Sequence, residues 1–193
     1  MSRLARRTLL AALASLAPWT VAADASDRLT IDGKHGTIDF AIGDSKVFRT
    51  TGTFKTWQGI VKVDEANVPQ STVEVTIDTR SIQMLDAQQT EMLKDPDFFD
   101  AAKFPQMTFR STKIERTGEN TLKVVGDMTM RGITRPMVLA VSVTDRKPDA
   151  APGTRYARFR GEGSLKRSEY GMTKYVDVVG DTVDFSIRTD ALR

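Results

Sequence analysis

"MVLAVSVT", residues 137–144, puts Met137, Leu139, Val141 and Val143 on one side of an extended chain and Val138, Ala140, Ser142 and Thr144 on the other. Successive side chains of a strand point to opposite faces, whereas a helix would need apolar residues three and four apart. The stretch therefore reads as a strand with one buried face. The same period recurs where Val73, Val75 and Ile77 oppose Thr72, Glu74 and Thr76, and where Val183, Phe185 and Ile187 oppose Thr182, Asp184 and Ser186. Further strands are expected near 28–32, 36–42, 47–63, 106–115, 121–130 and 155–167. Turn chemistry separates them in "EANVPQS", "RTGEN", "MRGITRP" and "KPDAAPG".

Roughly eight or nine strands at hairpin spacing, in one domain without helices between them, point to an all-β antiparallel barrel or a two-sheet sandwich. A closed barrel of about eight strands is just wide enough to hold one small ligand. One short helix is expected within "MLDAQQTEMLK", residues 84–94, where Leu85, Met92 and Leu93 share a face. In "DPDFFD", which follows, Asp95 suits an N-cap, Pro96 the first helical position and Asp97 the positive end of a helix dipole, predicting one helical turn at about 96–101. Pro105 then pushes Phe104 into extended backbone. Phe98, Phe99 and Phe104 thus gather on a compact turn able to close one end of a barrel. Burying each ring contributes about 1.5–3 kcal/mol, so all three are expected to be buried. They plug the barrel end as ordinary core, or they also line the inner end of an apolar channel.

Residues 1–23 carry Arg3, Arg6 and Arg7, then an apolar run of about ten residues and small residues at Ala22 and Ala23, the pattern of a secretory signal peptide that is removed. The run is about half the length of a bilayer span, so no permanent membrane anchor is expected. "ARRTLL" hints at twin-arginine export, with general secretion the alternative. The chain has 28 basic and 25 acidic residues, and the leader holds three of the basic ones and no acid, so the remainder, 24–193, is balanced. Without a basic cluster, nucleic acid is not an expected partner. With no cysteine, no disulfide framework exists, and this one domain must be held by its own core.

Catalytic signatures are sparse. His35 is the only histidine, so a nucleophile–histidine pair has one candidate base and a zinc or copper site is improbable. His35 reads as a structural or pocket-mouth hydrogen-bonding residue. Glu115 and Glu162 have no spacing that argues for a carboxylate pair, and no phosphate-binding glycine loop is present. Gly161 and Gly163 read as a bend or a close backbone approach within a strand. Adaptable side chain is plentiful instead: Met84, Met92, Met107, Met128, Met130, Met137 and Met172 lie among the phenylalanines. Periodicity leaves a filled barrel and a hollow one equally open.

Seven fragments in order resemble the YceI-like family of exported bacterial proteins: "IDGKHGTIDFAI" (31–42), "TGTFKTWQGIVKVDE" (51–65), "VTIDTRSI" (75–82), "MLKDPDFFDAAKFPQMTFRST" (92–112), "GDMTMRGITRPMVL" (126–139), "LKRSEYGM" (165–172) and "VGDTVDFSI" (179–187). The resemblance implies a lipocalin-like barrel that binds a polyisoprenoid or similar long-chain lipid. His35 matches the family pattern. Where members often carry a second histidine this chain has Asp44, and Gln89, Thr90, Glu91, Met92 and Leu93 replace a more polar stretch, implying a less polar rim.

On this reading the chain is a soluble periplasmic protein that carries or sequesters a long-chain apolar lipid without catalysis. It needs no metal and no cofactor, the bound isoprenoid lipid or quinone being its ligand. The expected wall comprises Phe40, Ile42, Phe54, Val75, Ile77, Met107, Phe109, Met128, Met130, Leu139, Val141 and Phe185. Phe98, Phe99 and Phe104 are expected to stopper one end, with Tyr170 a further lining residue and His35 at the mouth. An enzyme acting on a hydrophobic substrate and a stress-related interaction protein with a filled core are the alternatives. A homodimer is left open.

Overall fold

The computed structural model describes residues 27–43 and 49–193. The leader, Asp44 and the start of the strand expected from residue 47 lie outside the described residues. Eleven strands form one antiparallel sheet: β1 (Asp27–Asp32), β2 (Gly36–Ile42), β3 (Thr50–Phe54), β4 (Trp57–Val63), β5 (Thr72–Asp78), β6 (Ile82–Met84), β7 (Gln106–Arg116), β8 (Thr121–Met130), β9 (Ile133–Thr144), β10 (Arg155–Lys166) and β11 (Thr182–Leu192). Six of them pair off into long bent strands. β1 and β2 run against β4 and β3, and β3 and β4 run against β6 and β5. Merged in this way the sheet is an eight-stranded up-and-down meander. β11 closes it by pairing with β2 along Val183–Thr189 and with β1 at Thr30↔Leu192.

The bends fall at one level of the barrel, at 33–35, 55–56 and 79–81. Between the pairs Asp32↔Gln58 and Ile38↔Phe54, five residues on the first strand (33–37) face three on the second (55–57), so the register slips and the strand turns. Backbone groups freed there find new partners. Gly33 N–H donates to the Trp57 carbonyl, Lys55 N–H to that of Ser81 and Asp78 N–H to that of Thr56, at 3.0–3.1 Å. Thr79, fully buried, donates its hydroxyl to the Phe104 carbonyl at 2.6 Å, and its N–H to that of Pro105 at 3.0 Å. The strand expected over 47–63 is therefore one strand folded at Lys55–Thr56, where two exposed residues separate the buried Phe54 and Trp57 and the alternation changes phase.

Two local expectations are corrected. The first helix, α1, spans Ala87–Met92, inside the expected stretch 84–94, and starts only there because Asp86 caps it and accepts from Gln89 N–H at 2.8 Å. Leu85 consequently precedes the cap and is fully exposed instead of sharing an inner face with Met92 and Leu93. "DPDFFD" forms consecutive turns, not a helical turn. The Asp95 carbonyl accepts from both Phe98 and Asp100, Phe99 donates back to Leu93 and Ala101 to Lys94, and Asp100 takes φ 47°. An isolated helical turn fixes several residues for one hydrogen bond, whereas tying back to the end of α1 satisfies more groups. A second short helix, α2 (Val176–Val179), precedes β11.

Each strand turns its apolar face inward, and Leu29, Phe54, Met107, Met130, Tyr156 and Tyr170 are among the most deeply buried side chains. Gly126 makes room: a Cβ there would lie 2.5 Å from the Phe109 ring. Replacing Thr79 by Val should leave the Phe104 carbonyl without its donor and lower unfolding free energy by about 1–3 kcal/mol in urea titrations. An unchanged midpoint would remove Thr79 from the bend's supports.

Candidate functional site

The inward faces do not fill the barrel. A cavity of about 170 Å³ occupies its body, walled by Ile31, Ile38, Trp57, Val61, Val75, Ile77, Phe109, Ile114, Val124, Met128, Met137, Leu139, Val141, Phe159, Phe185 and Ile187. At one end its rim carries Asp64, Glu65, Arg116, Glu119, Asn120 and Arg146 from the loops after β4, β7 and β9. Gly161 in β10 widens this chamber. A Cβ there would meet Ile187 and Val141 only at ordinary contact distances of 3.7–3.8 Å, leaving the volume beyond it vacant. Gly163, by contrast, is a close backbone approach, since its Cβ would lie 2.7 Å from the Val138 carbonyl.

A second cavity of about 150 Å³ lies above the bends, walled by Phe40, Ile42, Phe54, Met84, Met92, Leu93, Phe98, Phe99, Met130, Leu165, Met172, Val179 and Val183, with Phe185 again. Phe185 thus borders both chambers. Neighbouring inward positions divide between them: Ile38 and Met128 face the first, Phe40 and Met130 the second. Only side chains separate the two spaces.

The second chamber's cover consists of residues 85–104 and the segment from Arg167 to Gly180. The first piece lies where β6 stops with no partner on its β7 side. Phe40, Phe54 and Phe99 form a ring chain there, with centroids 5.4 and 5.7 Å apart. Arg131, in the β8–β9 turn, donates to the Pro96 carbonyl at 2.7 Å and to that of Phe98. Lys174 pairs with Asp97, and the Tyr175 ring lies 6.4 Å from that of Phe98. The second piece is organised by Arg167, only 5% exposed, whose guanidinium donates to the carbonyls of Gly180, Met172 and Lys174. Asp181 receives Ser168 N–H at 2.9 Å and its hydroxyl at 2.7 Å. Burial opposes ionisation of Asp181, but these bonds and the nearby Arg167 charge outweigh it and hold the carboxyl below its ordinary value of 3.8.

Most residues expected on the wall border one chamber or the other. Four lie elsewhere. Met107 points inward but is packed solid, and Tyr170 is buried outside both spaces. Phe104 is half-buried against Gly132, with Lys103 over its ring. His35 is exposed in the β1–β2 bend, its Nδ1 2.7 Å from Asp32, in a separate polar surface groove and not at either mouth. Burial works against ionisation of Asp32, yet its bonds from His35 and Lys34 keep its carboxyl below the ordinary value. The expected wall omits Trp57, Val61 and Val124, which the period-two rule places inward, and Val183 and Ile187, which read on their strand's apolar face; it also lacks Arg167, for which no periodic signal exists.

Polar side chains touching the second chamber are Thr50, Gln89, Arg167, Lys174 and Tyr175. At the first chamber's rim the Tyr156 hydroxyl donates to Glu65; burial and that carboxylate push its pKa well above the usual tyrosine value. Among the described residues no three metal-ligating side chains cluster, and no helix is long and apolar enough to cross a membrane.

Comparison with known proteins places this geometry among relatives. The family model for the YceI-like domain matches residues 29–191. Protein YceI of Salmonella newport is 31% identical over 182 residues, covering 94% of each chain. Burkholderia cenocepacia BcnA superposes with a TM-score of 0.72 at 27% identity, over 84% of this chain and 99% of its own. A polyisoprenoid binding domain from Saccharophagus degradans has the same fold, with a TM-score of 0.63 at 12% identity over 86% of this chain and 97% of its own.

The cover should loosen in acid. With its folded pKa lowered, Asp181 contributes stability that is complete above the unfolded value of 3.8 and is lost as pH falls through the folded one. Urea titrations of wild type and Asp181→Asn should therefore differ most above about pH 4 and converge toward pH 2. A difference independent of pH would contradict the assignment.

Proposed function

This chain belongs to the YceI-like domain family, and on that premise we propose that it binds one long-chain apolar lipid lengthwise through both chambers. The ligand is a polyisoprenoid, an isoprenoid quinone or a similar chain. The protein acts as a carrier or sequestering protein in the periplasm, without a catalytic step. The observation that carries this reading is the pair of apolar spaces in line, sharing Phe185 and separated by side chains alone. Cavities of about 150 Å³ lined by aliphatic and aromatic groups stay dry and accept hydrocarbon. Each methylene withdrawn from water is worth about 0.8 kcal/mol before ordering costs, so a chain spanning both spaces binds tightly with few hydrogen bonds. Rotation of Phe185 joins the spaces, and the flexible side chains of Met84, Met128, Met130, Met137 and Met172 let the walls follow the cargo.

Two further features support the reading. The polyisoprenoid binding domain of Saccharophagus degradans uses the same fold, and the leader at residues 1–23 has the composition of an export signal.

Mass spectrometry of an organic extract from the protein purified out of cell envelopes is expected to return a long-chain apolar lipid in near-stoichiometric amount. An empty extract, together with no measurable binding of an added prenyl alcohol, would reject the proposal. Gly161→Leu should fill the first chamber and weaken prenyl alcohol binding by at least about tenfold, since a few buried methylenes lose their place. Its denaturation midpoint should hold, because the added Cβ meets only ordinary contacts. Wild-type affinity in this variant would place the ligand elsewhere.

A further inference from the structure

Arg167 does more hydrogen-bonding work than its neighbours need, and also less than it can. Its Nε donates to the Gly180 carbonyl at 2.9 Å, and Nη1 to Met172 at 3.3 Å and Lys174 at 2.7 Å. A guanidinium has five N–H donors, so the Nε proton and both Nη1 protons are engaged while both Nη2 protons remain. Nη2 is fully buried and has no hydrogen-bond partner. The side chain is 95% buried and borders the second chamber. All three of its bonds go to neutral carbonyls, and the carboxylate that acts on it, Asp181, is itself engaged by Ser168. A buried charge with unused donors is costly unless an anion or a strong acceptor completes it.

The other cation on this chamber is already matched, since Lys174 pairs with Asp97. The rest of the wall is hydrocarbon, ring and thioether apart from the neutral polar groups of Thr50, Gln89 and Tyr175. A chain whose end carries an anionic oxygen would therefore find one cationic side chain there with donors that no protein group matches.

We propose that the second chamber is the head-group end of the site, with Arg167 Nη2 anchoring an anionic oxygen head group, carboxylate or phosphate, while the apolar tail passes Phe185 into the first chamber. The assignment rests on the lipid-binding reading given above. It makes Arg167 the residue that separates acid-ended chains from headless hydrocarbons, and it sets the ligand's direction. Charge-assisted bonds from a guanidinium to such oxygens are short and stronger than neutral ones, and here they form out of water.

The test uses three probes with the same saturated isoprenoid chain: phytanyl phosphate, phytanic acid and phytane, which has no head group. In wild type, at least one acid-ended probe should bind about tenfold or more tightly than phytane, as expected for a hydrogen bond to a charged group. Whichever acid gains more identifies the head group as phosphate or carboxylate. In Arg167→Gln the ratio should fall toward one. Because Arg167 also holds the 172–180 segment and its variant can fail to fold, a second measurement is made on wild type alone: the guanidinium nitrogen and proton resonances of Arg167 should shift with the preferred acid and stay in place with phytane. Phytane binding without any acid preference, an undiminished preference in Arg167→Gln, or unshifted resonances with the acid bound would overturn the anchor while leaving the channel intact. Failure of all three probes to bind would overturn the channel reading, and the anchor with it.

Discussion

Closure of the sheet is the constraint on which the rest of this structure depends. β11 pairs with β2 over seven residues and reaches β1 at its end, so the meander has no free edge along the barrel's body. Strand alternation then obliges every second side chain to enter a shared interior. Eight strands give an interior wider than these side chains fill, and what remains is the pair of apolar spaces. Lining mostly by valine, isoleucine, methionine and phenylalanine leaves water few hydrogen-bond partners in that space. The void is thus a consequence of closure and side-chain volume together.

Bending at 33–35, 55–56 and 79–81 turns one barrel into two rooms. Three adjacent strands fold at one level, their backbone groups are re-satisfied across the bend, and β6 is left without a neighbour on one side. The cover supplies what the sheet lacks there. It is pinned from two directions, by Arg131 on Pro96 and Phe98 and by Lys174 and Tyr175 on Asp97 and Phe98. The phenylalanines of "DPDFFD" are therefore at once core and chamber lining: Phe98 is buried and Phe99 packs edge-to-face with Phe54, and both face the second space. Phe104 belongs to the packing under the β8–β9 turn.

Strand existence was legible in the sequence because burial of one sheet face writes itself directly as a period of two. The approximate strand number followed from the spacing of those runs, which fits a barrel and a sandwich alike; closure was implied only by the family resemblance. The bend at 55–56 left one local mark, the three-residue step between Phe54 and Trp57, both buried, which a period of two does not allow and which the reading of a single strand over 47–63 passed over. The turn at Asp95–Asp100 was misread because its capping residues fit a helix; the carbonyls of Leu93 and Lys94 that capture it lie in the preceding element. Inward-facing residues of the site were largely legible, yet alternation cannot say whether an inward side chain meets a void, as Phe109 does, or solid packing, as Met107 does. Arg167 escaped entirely, because arginine in "LKRSEYGM" reads as exposed until the fold buries it.

The central claim is that hydrocarbon leaves water and enters a dry interior. Titration calorimetry of the protein with a prenyl alcohol at several temperatures measures this directly, because burying apolar surface lowers heat capacity. The account predicts a clearly negative heat-capacity change on binding. A change near zero with binding still observed would contradict it, because the chain would then be lying on the surface and not within the barrel.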